Sequence, residues 1–227
     1  MNGLKKINIG IFGSSGRMGQ ELISQINKSQ IHNLYYSYCY KSENNDLSKL
    51  CQSDVIIDFS TPKASLILLK EAIQHNTKIV CGTTGFTQIE FHNIIEASSI
   101  IPILYSANMS ISINIIRSLI ETLNAKLSND FDVDIVDIHH KHKKDKPSGT
   151  ALMLKQSISS RNANIVSIRA GEIPGTHEVL FTGTNEIITI KHQAFSRNIF
   201  ASGAIRAAGF LFQCKNPAIY SMDDVLS

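Results

Sequence analysis

The chain has 227 residues, 43% apolar and 18% charged, which excludes a disordered chain, a coiled coil and a disulfide-stapled miniprotein and predicts two lobes. Its 22 Lys and Arg against 19 Asp and Glu leave a net charge of +3 with histidine neutral, too mild to imply a nucleic acid or an anionic membrane as partner. Trp is absent and aromatics make up 7%, which argues further against base stacking, and no apolar run is long enough to cross a bilayer.

The start, Met1-Asn2-Gly3-Leu4-Lys5-Lys6, runs into a strand-like segment with no room for a signal peptide, and Cys39, Cys51, Cys81 and Cys214 show no CxxC spacing. Reduced thiols and a cytoplasmic location are expected. Lys6–Phe12 reads as a buried parallel strand, stopped by Gly13, and Met18–Asn27 as an amphipathic helix with Met18, Leu22 and Ile26 on one stripe. Between them lies Gly13-Ser14-Ser15-Gly16-Arg17-Met18-Gly19. Glycines here permit a tight turn and close approach of backbone to a pyrophosphate, which the free N–H groups at the helix start would hold. The spacing is GxxGxxG, with Ser15 in the middle glycine slot; a plain strand–helix connection is the bland alternative, and the alternation that follows favours a dinucleotide.

Strands are predicted at Leu34–Tyr40, Val55–Phe59, Lys78–Cys81 and Pro102–Ser106, with helices at Lys63–His75 and Gln88–Ala97, the pattern of a doubly wound parallel sheet. No acid ends the second strand; Lys41 and Ser42 follow Tyr40, with Glu43 one step later, and Lys41 reads either as a solvated loop lysine or, with Arg17, as a partner for a 2′-phosphate, tilting the cofactor toward NADPH with NADH tolerated. Gly82-Thr83-Thr84-Gly85-Phe86 and Ser106-Ala107-Asn108-Met109-Ser110 follow the fourth and fifth strands. Each alone is ordinary turn chemistry, but three small-residue loops on successive strand ends make a ligand site.

Beyond Asn108 the texture changes. Helices are expected at Ile111–Leu127 and Thr150–Ser160, strands at Asp132–His139, Ile165–Arg169, Val179–Thr184 and Glu186–Ala194, and a closing helix at Asn198–Cys214. Closely spaced strands suggest a mostly antiparallel sheet in a second, α+β domain. The expected division is 1–108 plus 205–227 for the dinucleotide domain and 109–204 for a substrate-binding and assembly domain.

The densest chemistry is Asp137-Ile138-His139-His140-Lys141-His142-Lys143-Lys144-Asp145-Lys146-Pro147-Ser148-Gly149-Thr150-Ala151. A metal site on its histidines is disfavoured by crowding lysines and the lack of a nearby Cys, so no metal is expected. A nucleic-acid patch would need aromatic interleaving. A solvated basic loop competes with a pocket for an anionic substrate carrying acid/base groups. Ser148-Gly149-Thr150 favours the pocket, because Ser caps a helix, Gly permits close approach, and the free N–H groups suit a carboxylate. On a straight strand His139 and Lys143 would stand ~13 Å apart at ~3.3 Å per residue, so one small substrate touches both only if the chain curls after His140.

Gly13–Gly19, Asp58-Phe59-Ser60, Gly82–Phe86, Ser106–Asn114 and His139–Ala151, continued by Arg169–Gly171, Gly175–His177 and Phe200–Arg206, together resemble the bacterial dihydrodipicolinate reductases over nearly the whole chain. The resemblance implies a Rossmann domain, a second domain whose sheet mediates homotetramer assembly, and NADPH- or NADH-dependent reduction of a cyclic imine dicarboxylate in lysine biosynthesis. By position, His139 and Lys143 would be the acid/base pair, while His140, Ser148, Gly149 and Thr150 would hold the substrate carboxylates. Gly13, Ser14, Ser15, Gly16, Arg17, Met18, Lys41, Gly82, Thr83, Thr84, Ser106, Ala107, Asn108 and Met109 would line the cofactor. The chain departs from the family pattern in the short Lys41–Ser53 segment, in Lys41 itself, and in Ser112 where glycine is common. Rival readings are another two-domain nicotinamide enzyme, such as an aspartate or semialdehyde dehydrogenase, and a non-catalytic NADPH-binding regulator on the same fold.

Overall fold

β-Branched and apolar residues at Ile7–Phe12 form β1, whose last four positions are fully buried, as a central parallel strand requires. The computed structural model describes residues 6–40, 45–127, 130–158 and 162–227. After β1 come α1 (Arg17–Asn27), β2 (His32–Tyr38), α2 (Leu47–Leu50), β3 (Val55–Asp58), α3 (Pro62–His75), β4 (Lys78–Cys81), α4 (Gln88–Ser98) and β5 (Ile103–Tyr105). Next are α5 (Ile111–Lys126), β6 (Asp132–His139), α6 (Gly149–Gln156), β7 (Asn164–Arg169), β8 (Gly175–Thr182), β9 (Ile187–Ala194), α7 (Asn198–Gln213), β10 (Ile219–Tyr220) and α8 (Met222–Leu226).

The first unit spans Met1–Ser110 and Phe200–Ser227. Its sheet is parallel throughout, in the order β10-β5-β4-β3-β1-β2. From β1 the chain steps outward to β2 and then crosses back to β3, so the strand order reverses between β1 and β3; ligands of doubly wound sheets bind at such a crevice. Phe12, Leu50, Ile56, Leu68, Ile79 and Ile103 belong to the core on one face of this sheet. Fold class therefore agrees with the expectation: a Rossmann-type sheet with a second α+β unit.

The second unit, Ile111–Ile199, carries a four-stranded mixed sheet, β7-β6-β8-β9. Only β6 and β7 run parallel. Burial alternates strictly along β6, so Val133, Ile135, Asp137 and His139 share the inward face. Its apolar part packs with Ile120, Leu154, Val179 and Phe181. Among the described residues no helix is long and apolar enough to cross a membrane.

Strand pairing moved several boundaries. β2 starts and ends two residues before the predicted Leu34–Tyr40, because its ladder runs from Ile7↔His32 to Phe12↔Tyr38. β8 begins at Gly175 rather than Val179, since Thr176 and His177 pair with both β6 and β9 although Gly-Thr-His carries no strand pattern. α6 spans Gly149–Gln156, not Thr150–Ser160; Ser159 and Ser160 lie outside the described residues. The short α2, β10 and α8 were not anticipated.

Candidate active site

The glycine loop is a cradle that side chains would fill. Gly13 sits at φ +88°, and a Cβ there would meet the Phe59 carbonyl oxygen at 2.7 Å. A Cβ on Gly19 would lie 2.4 Å from the Gly13 oxygen, so the turn and the first coil of α1 pack backbone to backbone. Gly16 is the N-cap of α1 and offers no side-chain cap, and the first turn holds no acid. The N–H groups opening α1 are thus left for an anion, which fits a dinucleotide pyrophosphate. Ser14 is buried in the turn, while Ser15, Gly16 and Arg17 are exposed and Met18 is half-buried. Lys41 lies outside the described residues.

All strands of this sheet run the same way, so the loops after β1, β3, β4 and β5 emerge at one edge. Asp58, at the end of β3, organises two of them. Its Oδ1 accepts from the Ser60 N–H at 2.9 Å and from the Thr83 hydroxyl at 3.2 Å, and the Ser60 N–H also reaches Thr83 Oγ1 at 2.9 Å. The Ser65 hydroxyl donates to Asp58 Oδ2. Burial raises the Asp58 pKa against the pull of these hydrogen bonds. Gly82 faces the Phe59 ring so closely that a Cβ would lie 2.4 Å from it. Thr83 is thereby turned into the fold, whereas Thr84 is exposed. In the loop after β5, the Ser106 hydroxyl donates to the Asn108 oxygen at 2.8 Å and Asn108 Oδ1 accepts from the Ser110 N–H at 2.8 Å. Ala107 is exposed and Met109 buried.

In the second unit the centre is a residue for which the sequence suggested no role. Asp137 is fully buried. His139 Nδ1 lies 2.8 Å from its Oδ1. Its Oδ2 takes the Arg169 guanidinium at 3.0 Å, the Ser148 N–H at 2.9 Å and the Ser167 hydroxyl at 3.1 Å. Burial alone would raise Asp137, but His139, the Ser148 N–H and Arg169 outweigh it and hold the carboxyl well below the usual range. The strand register explains the convergence: Ser167, Asp137, His177 and His192 form one row across β7, β6, β8 and β9. Asp137, His139 and His177 stand close enough together to suggest a cation site. The Arg169 guanidinium already neutralises the other carboxylate oxygen, so the geometry is that of an oriented histidine.

The chain does curl after His140. β6 ends at His139, and the Lys143 N–H bonds the His140 oxygen at 3.1 Å. Lys143 Nζ pairs with Asp145 Oδ2 at 2.9 Å. Partial burial would raise Asp145, but the bond from Lys143 outweighs it and lowers its pKa. His140 is half-buried, and desolvation together with Arg197 lowers its pKa. Lys141 and His142 sit outside, near Glu172 at 3.7 and 3.9 Å.

Ser148 caps α6, its Oγ accepting from the Ala151 N–H at 3.2 Å. Gly149 follows with nothing near the place of a Cβ, so the start of α6 is open. His139, His140, Ser148, Gly149 and Thr150 are thus held around one strand end and one helix start. Asp137, Arg169, Ser167 and His177 were missed as parts of this site. One signal existed: an acid on the inward face of an alternating strand, two residues before a histidine on that face.

A family model described as dihydrodipicolinate reductase, N-terminus, matches residues 7–109, and one for its C-terminus matches 112–226. A 4-hydroxy-tetrahydrodipicolinate reductase of Rickettsia rickettsii is 41% identical over 96% of the chain and 98% of its own length. One from Pelagibacter ubique is 38% identical over 99% of each. Among solved structures, a dipicolinate-bound dihydrodipicolinate reductase from Paenisporosarcina superposes with a TM-score of 0.81 at 21% identity, covering 98% of this chain and 100% of that one.

Proposed function

The chain belongs to the dihydrodipicolinate reductase family, and from that premise we propose how its own residues reduce 4-hydroxy-tetrahydrodipicolinate to tetrahydrodipicolinate. Reduction adds one hydride and one proton to the substrate and releases water. The nicotinamide cofactor supplies the hydride when bound. The observation that carries the reading is the buried Asp137–His139 pair set beside the helix start capped by Ser148.

One substrate carboxylate is received by the Ser148 hydroxyl together with Gly149 and Thr150, at the positive end of the α6 dipole. His140 lies against the other. Lys143 exchanges its partner Asp145 for the substrate and gives the proton, and His139, fixed by Asp137, donates or relays it. The pyrophosphate rests on the Gly13–Gly16 turn and the start of α1, and the strand-end loops from Gly82 to Thr84 and from Ser106 to Met109 bound the nicotinamide side. NADPH is favoured over NADH: β2 ends at Tyr38 with Cys39 next, so among the described residues no acid stands at the end of this strand, while Arg17 is exposed at the loop. The assembly is a cytoplasmic homotetramer joined through the outward face of the mixed sheet, where Val166 (54%), Ile168 (43%) and Ile187 (59%) remain exposed.

The test couples freshly generated synthase product to loss of cofactor absorbance. Turnover is expected with both cofactors, with the higher kcat/KM for NADPH. No substrate-dependent oxidation would overturn the reading, a strong NADH preference would overturn the cofactor order, and light scattering reads the number of subunits.

A further inference from the structure

His177 is buried to 6% exposure near the start of β8 and lies in no segment assigned to acid/base chemistry. Its Nε2 faces two groups: Ser148 Oγ at 3.2 Å and Asp137 Oδ1 at 3.5 Å. Its Nδ1 is buried and has no hydrogen-bond partner among the described residues. The ring meets His139 edge-on at 5.2 Å between centroids.

We propose that His177 is a positioning residue that stays neutral with its proton on Nε2, and so keeps the Ser148 hydroxyl proton free to donate to the substrate carboxylate. Two observations select that tautomer, and a third keeps the ring neutral. A proton on Nε2 points at a carboxylate and a hydroxyl oxygen, whereas a bare Nε2 would turn its lone pair toward the Asp137 carboxylate. The opposite tautomer would also bury an N–H at Nδ1 without an acceptor, the costlier kind of orphan. Neutrality follows from the surroundings: desolvation, His139, His192 and Lys143 all oppose a charge, with only Asp137 favouring it, and they bring the pKa down to about 4. Arg169, bound to the same carboxylate, adds to the positive side.

The consequence falls on Ser148. Its oxygen already accepts from the Ala151 N–H. With a second N–H arriving from His177, both lone pairs are used and the hydroxyl proton is left for donation, so an arriving substrate carboxylate competes for it only with the Asp137 carboxylate alongside. In the other tautomer Ser148 would donate to His177 and would present no donor to an anion. His177 therefore decides whether the carboxylate anchor is a donor or a spent group.

This rests on the proposed role of Ser148, and the test separates the two. Imidazole ¹⁵N NMR of the cofactor-loaded enzyme at neutral pH reads the tautomer directly, whatever the substrate is. A protonated Nε2 and bare Nδ1 on His177 are expected, and the reverse pattern, or a doubly protonated ring, overturns the proposal. Calorimetric titration of dipicolinate into the cofactor-loaded enzyme then reads the anchor. His177→Leu and Ser148→Ala should each weaken dipicolinate by roughly 10-fold or more, as loss of a hydrogen bond to a charged group does. The double variant should be little worse than either alone, because the two act through one hydroxyl. His177→Gln, whose amide N–H reaches where Nε2 does, should restore most of the affinity, and cofactor affinity should hold throughout. Additive losses, failure of Gln to rescue, or equal weakening of the cofactor would overturn the proposal. Wild-type enzyme that binds no dipicolinate, with the expected tautomer intact, would instead defeat the substrate assignment.

Discussion

Asp137 shows how one buried charge organises a site. Five groups from three strands, a helix cap and a loop-facing guanidinium converge on two oxygens, so the carboxylate is both an anchor for Arg169 and the orienter of His139. Asp137→Asn keeps the shape but leaves the guanidinium facing a neutral amide. Removing one partner of a buried pair costs about 3–5 kcal/mol, so a denaturant midpoint well below wild type is expected. The surviving folded fraction should show reduced kcat, because an unoriented imidazole fails in geometry before it fails in basicity. Lys143 is different: its partner Asp145 is exposed and its pair at the surface stabilises little. Lys143→Ala should therefore leave the melting temperature within a degree or two, lower kcat by about 10²–10⁴ as loss of a proton donor does, and leave cofactor affinity by fluorescence titration unchanged. Equal loss of cofactor binding would reassign it.

Single elements divide according to how local their determinants are. Alternation of apolar runs with amphipathic stretches was enough to read β1 to β5 and the helices α1, α3 and α4 between them, though not the short α2, and the Gly13–Gly19 turn announced its own conformation. Gly13→Ala should abolish measurable cofactor binding and lower stability, since both the positive φ and the Phe59 carbonyl forbid the methyl group. Gly209, inside α7 with no atom near the place of a Cβ, is the contrast: Gly209→Ala should raise stability by about 0.5–1 kcal/mol in a denaturant titration. The site in the second unit was legible only in its contiguous part. His139, His140, Lys143 and the Ser148 cap lie in one string, whereas Arg169 is 32 positions from Asp137 and His177 is 29 from Ser148. Those partners are supplied by strand register, and register was hidden because Gly175-Thr176-His177 pairs without looking like a strand. β2 was misplaced for the same reason: its limits belong to β1.

For the whole molecule, a net charge of +3 conceals a local excess, with Lys141, Lys143, Lys144 and Lys146 beside three histidines. The proposed dianionic substrate should feel that field, so its KM should rise with salt while kcat holds, as screening shortens from ~10 Å at 0.1 M to ~3 Å at 1 M. The same cluster sets a sharper limit on the acid side. An unfolded chain takes up a proton at histidine near pH ~6.5, but buried His177 takes it only at about 4. Protons therefore favour the unfolded state across that window: the contribution is fully present above pH ~6.5 and is lost as pH falls toward 4. The loss is of order 3 kcal/mol for this residue alone. Below pH ~4 Asp137 acts in the same direction, because its carboxyl holds its charge in the fold after it would have been protonated in the open chain. Unfolding followed from pH 7 to pH 4 should thus show stability falling steadily, and His177→Gln, which cannot titrate, should flatten that slope. An equal slope in the variant would place the acid sensitivity elsewhere.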